Sequence, residues 1–152
     1  MDLLISIIIT LFFLLLAFTT GTLIEKAHFN KLKKMEIALI KKPVVTYGTK
    51  HYPITRKIKK IELVHGESVI AGDYFKYYVA SLKNIFGGRL TTLESIMDRA
   101  RRQAIVRMKE QAKDANLIVN VRIESAMLNH VDMKNSIPKC AVFAYGTAIT
   151  YE

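Results

Sequence analysis

From Leu3 to Ile24 the chain carries no charged side chain: LLISIIITLFFLLLAFTTGTLI is apolar apart from hydroxyls and one glycine. As a helix these 22 residues reach about 33 Å, enough to cross a hydrocarbon core of about 30 Å. The pattern predicts a transmembrane anchor over residues 1–24. The period then changes. Phe29, Leu32, Met35 or Glu36, and Leu39 recur near one helical face with lysines on the others, which predicts a helix from Glu25 to Lys42, either standing up from the bilayer or lying on it. Pro43 ends it, because proline has no amide to donate and restricts the residue before it.

After Pro43 the pattern shortens. Val44–Tyr47 reads as a short strand and Gly48–Pro53 as a turn, followed by the basic run Arg56, Lys57, Lys59 and Lys60. Ile61–His65 and Ser68–Ala71 read as two strands around Gly66, where a hairpin or bulge would use glycine's freedom at positive φ. Asp73 is a suitable N-cap for a helix presenting Phe75, Tyr78, Val79, Leu82 and Phe86, stopped by Gly87-Gly88. A second helix starts at the T-x-x-E capping box of Thr91 and Glu94 and carries the stripe Leu93, Ile96, Met97, Ala100, Ala104, Met108, Ala112 and Ala115. Leu117–Ser125 alternates Leu117, Val119, Val121 and Ile123 against Asn120, Arg122 and Glu124. Lys139–Tyr151 alternates large and small residues, and Asn129–Pro138 is the loop between these two strands. The order β-β-α-α-β-β predicts an α+β layer of helices on an antiparallel sheet over residues 61–152. About 90 residues with an alanine-rich helix offer a modest core, so burial between subunits would help.

Charge refines this division. Residues 25–60 hold eleven Lys or Arg against Glu25 and Glu36, a net of +9, whereas residues 61–152 are close to balanced at +2. The excess is therefore a property of a juxtamembrane connector. Lys26, Lys31, Lys33, Lys34, Lys41 and Lys42 follow the span while only Asp2 precedes it. This predicts a cytoplasmic-membrane protein with its short N-terminus outside and its domain in the cytoplasm. The lysines suit anionic headgroups, at about 1 kcal/mol each near the surface. Nucleic acid is the sharper reading of the same charge, but no RNA-recognition or zinc-finger pattern accompanies it. A secretory signal peptide is the rival to the anchor. Met1-Asp2 lacks the usual basic n-region, and no A-x-A-like site follows.

Ile61–Tyr151 resembles the YbjQ-like family of bacterial and archaeal domains, which carries a heavy-metal-binding label. The residues concerned are Gly66-Glu67-Ser68-Val69, Ile85-Phe86-Gly87-Gly88-Arg89, Arg99–Ala104, Ala115–Val121 and Gly146-Thr147-Ala148. The resemblance implies a dodecin-like α+β fold and ring-forming homo-oligomers, pentamers, and implies no established activity. This chain departs from the family pattern at Leu93, where an aromatic residue is common, at Asp114-Ala115-Asn116, and in having an anchor.

Metal ligands are sparse. His28, His51, His65, His130 and Cys140 form no C-x-x-C, H-x-x-x-H or H-E-x-x-H spacing. In a symmetric ring, His65 near the axis would be repeated by every subunit, and Cys140 is the other candidate. Alone, each reads as an ordinary strand residue. A lone cysteine forms no disulfide framework, which accords with a reducing compartment. Gly87-Gly88-Arg89 is a candidate anion site or subunit contact, its plainer reading being a helix C-cap and turn. The basic residues between Arg99 and Lys113 are interspersed with Asp98, Glu110 and Asp114, as on an ion-paired helix face or oligomer seam. Tyr74, Tyr77 and Tyr78 read as core or interface. No catalytic spacing and no cofactor motif is present. The sequence points to a membrane-anchored homo-oligomeric scaffold with lipids, itself and an unidentified protein as partners, the alternative being a metal or ligand binder with its site between subunits.

Overall fold

A computed structural model of the chain describes residues 2–46, 56–72, 91–128 and 139–152. Helix α1 runs without interruption from Asp2 to Ala38, 37 residues, about 55 Å at the usual rise. It is apolar enough in its N-terminal part to cross a membrane. The hydroxyls of Thr10, Thr19, Thr20 and Thr22 donate to carbonyls three or four residues back, so the helix itself satisfies these four side chains. The chain then tightens through residues 39–42 to Pro43.

The remaining elements are β1 (Val44–Val45), β2 (Ile58–Ala71), α2 (Thr91–Gln111), β3 (Leu117–Met127) and β4 (Lys139–Tyr151). The strands form one sheet in the order β1-β3-β4-β2. The fold class is α+β, as expected, but the sheet is mixed: β1 lies parallel to β3, while β2 and β3 flank β4 antiparallel. The helix expected from Asp73 lies outside the described residues.

Two strand readings are corrected. No hairpin divides residues 61–71: β2 is one strand of 14 residues, and Gly66 pairs with Ala144 in its middle. Its glycine serves close approach, since a Cβ there would overlap the Ala104 carbonyl oxygen and the Met108 amide nitrogen of α2. In β3 the unbroken alternation fails because Val119 pairs with Thr147 and Arg122 with Tyr145, three residues against two. Asn120 supplies this bulge at φ 54°, a left-handed conformation that asparagine tolerates. Beyond it the parity reverses, so that Ile118, Val121 and Ile123 share one face while Val119 pairs on the same side as Arg122 and Glu124.

The α2 stripe of Ile96, Ala100, Ala104 and Met108, continued by Ala112 just past its end, packs on Val64, Ile70, Ile118, Cys140, Val142, Ala144 and Ala148. Alanines let the helix approach closely where Gly66 provides room. The back of α2 is buried as well. Val106 is 2% exposed and faces Leu32, 3% exposed, on α1. The sequence of layers is therefore α1, α2, sheet.

Candidate functional site

The chemistry-bearing side chains that converge do so along the seam between α1 and α2. Glu36 is the lone acid between Lys26 and Lys42, and its carboxylate accepts from Arg102 Nε at 2.7 Å and Nη2 at 2.5 Å, a bidentate fork. Asp98, one turn earlier on α2, lies 3.8 Å from the same guanidinium, which also sits 4.8 Å over the Phe29 ring. The Arg102 hydrogen bonds hold the Glu36 carboxyl below its usual pKa against the opposing effect of burial, and raise that of Arg102 in return. Further along, Lys109 Nζ donates to the Leu39 carbonyl at 3.4 Å, and Lys42 Nζ donates to the carbonyls of Ala112 and Lys113 just past α2. A lysine there satisfies helix-end acceptors and complements the dipole. Burial nevertheless lowers the Lys42 pKa, partly offset by Asp114.

At the opposite end of the seam lies a cavity of about 480 Å³, bounded by Gly21, Ile24 and His28 of α1, the end of β2 at Ala71, and Ile96 and Arg99 of α2. Arg99 Nη1 is 3.6 Å from Glu25 Oε1. Among the described residues, the buried side-chain atoms without a hydrogen-bond partner are His28 Nδ1 and Arg99 Nε, both at this place. The Glu25–Arg99 pair leaves the lining close to electrically neutral, and among the described residues no three His, Cys, Asp or Glu side chains are grouped as a metal would require.

The sequence candidates separate. His65 is exposed on the sheet face away from α2, its ring centroid 5.7 Å from that of Phe143. Cys140 is fully buried beneath α2 and pairs with Ile70, five positions along β2. Within one chain they lie on opposite faces and cannot share an ion. Gly87, Gly88, Arg89, His51, His130 and the three tyrosines at 74, 77 and 78 lie outside the described residues. Lys26, Lys31, Lys33, Lys34 and Lys41 are exposed, whereas Lys42 is half-buried on the α2 end. Arg99, Arg102 and Lys109 face α1, so this part of the basic series forms a seam within the chain.

The outer sheet face is unusual in the opposite sense. Leu63 is 73% and Val69 66% exposed, and Ile61 and Phe143 also stand in the open. The free edge of β2 is partly covered. The His65 amide donates to Gln111 Oε1 and Arg107 Nη1 donates to the Glu67 carbonyl, both at 2.6 Å. The edge caps Arg107 and Gln111, and the fork of Glu36 with Arg102, correspond to no motif in the sequence. The available signal was Glu36 itself, a single carboxylate on the apolar face of an otherwise basic helix.

A family model described as "Putative heavy-metal-binding" matches residues 44–152, beginning after α1. A UPF0145 protein of Hahella chejuensis is 34% identical over 97 residues, 62% of this chain and 86% of that protein. A UPF0145 protein of Clostridioides difficile is 37% identical over 100 residues, 64% and 83% of the two chains. A solved structure of a protein with unknown function from Pediococcus pentosaceus superposes with a TM-score of 0.41 at 16% identity, over 73% of this chain and 98% of that one. By the extent of the family match and the identity to these relatives, the chain belongs to the YbjQ-like family.

Proposed function

We propose that this protein is a single-pass protein of the cytoplasmic membrane that carries a homo-oligomeric, non-catalytic scaffold domain on the cytoplasmic side. The observation that carries this reading is α1 itself: one uninterrupted helix whose apolar window has no buried residue among those described and whose other half is bound to α2. An apolar helix about 33 Å long left in water would be a severe liability, and a bilayer removes it. Exposed Lys26 and Lys31 follow the span within the distance over which an anionic surface attracts them, about 10 Å of screening length. The exposed Ile61, Leu63 and Phe143 on the outer sheet face support contact between copies. The subunit number taken from the family resemblance is five. Several anchors on one ring would make attachment firm through avidity.

Native mass spectrometry of the full-length protein in detergent tests this. A metal-free ring of fixed subunit number supports the scaffold, and a monomer overturns it. The second reading, a metal or ligand site between subunits, draws on the exposed position of His65, which would have to take its co-ligands from neighbouring copies. A fixed ratio of metal to subunit in the same spectrum, with a rise in Tm on adding that metal, would establish it instead.

A further inference from the structure

The cavity beside His28 fixes the level of the domain along α1. Gly21 and Ile24, the last turn of the uncharged run, line it together with residues 69–72 at the end of β2. At the other end of the seam the Ile118 amide donates to the Pro43 carbonyl at 3.1 Å, and Val44–Val45 runs alongside Ile118–Val119. The chain thus climbs from Gly21 through Ala38 to Pro43, and β3 descends. The helical part of that climb is 17 residues, about 26 Å, to which the turn adds a few more. The descent from Ile118 to Leu128 is ten residues, about 33 Å as a strand. The two lengths are similar, and Ala71, which lines the same cavity as Gly21 and Ile24, is joined to Leu128 through Lys139, so Leu128 lies near their level. There the Leu128 amide donates to the Lys139 carbonyl at 2.8 Å, and Lys139 pairs with Ala71, so β2, β3 and β4 all end together.

This end of the sheet carries a particular chemistry. Leu128 is 48% exposed, Met127 and Val69 are also open, and Lys139 beside them is exposed. Apolar tips next to an amine are what the boundary between headgroups and acyl chains accepts: the apolar groups leave water and the amine meets phosphate.

We propose that the sheet end formed by Val69, Met127, Leu128 and Lys139 rests on the lipid headgroups, so that the domain touches the bilayer in addition to being tethered to it. This rests on the reading of α1 as a span. The chain contains no tryptophan, so a single introduced indole reports on its own site. Full-length Leu14→Trp, Leu128→Trp and Tyr151→Trp are reconstituted into phosphatidylcholine–phosphatidylglycerol vesicles, with either headgroup-nitroxide or acyl-brominated lipid as quencher. The expected result is that Leu128→Trp loses most of its emission to the headgroup quencher, Leu14→Trp loses it to the acyl quencher, and Tyr151→Trp, at the far end of β4, loses it to neither. Met127→Trp repeats the central measurement if Leu128→Trp fails to fold. Quenching at Leu14→Trp with none at Leu128→Trp or Met127→Trp overturns the contact and leaves the anchor standing. Blue-shifted but unquenched emission at those two positions overturns it in favour of a protein occupant. No quenching at Leu14→Trp removes both the span and the contact.

Discussion

The two halves of α1 share one backbone and obey opposite rules. Between Leu3 and Ile24 the large side chains described are exposed in every direction, and the hydrogen bonds described there are the helix's own. Between Glu25 and Ala38 one face meets α2, with Leu32 buried against it, Glu36 half-buried on Arg102 and the more open Phe29 ring under the same guanidinium. The N-terminal half is specified by composition, so almost any leucine there is replaceable by another apolar residue. The other half is specified by position, and each residue has a named neighbour.

That contrast predicts graded outcomes. The largest is Leu11→Lys with Leu15→Lys. A lysine at the centre of a span costs on the order of 3 kcal/mol, so the double variant should move most of the protein out of the carbonate-resistant membrane fraction. Next, Leu32→Ala should lower unfolding stability by about 2–4 kcal/mol, read as a drop in Tm in detergent. Leu14→Ala, a site 44% exposed against 3% for Leu32, should leave that Tm unchanged. Equal effects would erase the distinction between the halves. Arg102→Ala should cost about 1–2 kcal/mol by breaking the fork while leaving membrane attachment intact. The smallest effect concerns pH. The folded pKa of Glu36 lies below its ordinary value of 4.5. Its contribution is therefore complete above that value and is lost as pH falls through the lower folded pKa. Glu36→Gln should flatten this part of the acid limb in Tm against pH, and an unchanged limb would remove the fork from the stability of the seam.

Much of this arrangement is legible in the residues, and the failures have physical causes. The uncharged run, the Phe29–Leu32–Leu39 face and the Ile96–Ala112 stripe follow from periodicity, because burial on one side of a helix leaves its mark every three or four positions. Gly66 does not reveal its purpose. A glycine kept for positive φ and one kept because a helix backbone crosses it look alike in a sequence, and only the position of Ala104 and Met108 decides between them. Nor does the bulge at Asn120 show itself, since Leu117, Val119, Val121 and Ile123 alternate without a break and the extra residue is apparent only against β4. β1 is two residues long and owes its place to β3. For the candidate site, His65 and Cys140 appear as isolated ligands in the sequence. That they occupy opposite faces depends on the β2–β4 register, which no local pattern contains.

The absence of a break in α1 between Ile24 and Ala38 has a consequence for symmetry. If α1 is the proposed anchor, a stalk without a swivel, fixed to the domain at both Arg99 and Arg102, would give every copy in one bilayer the same polarity along the membrane normal. Copies so aligned are related by rotation about that normal alone. Cyclic assemblies are open to them, whereas dihedral ones, whose two-fold axes would lie in the membrane plane and turn half of the anchors away from it, are closed.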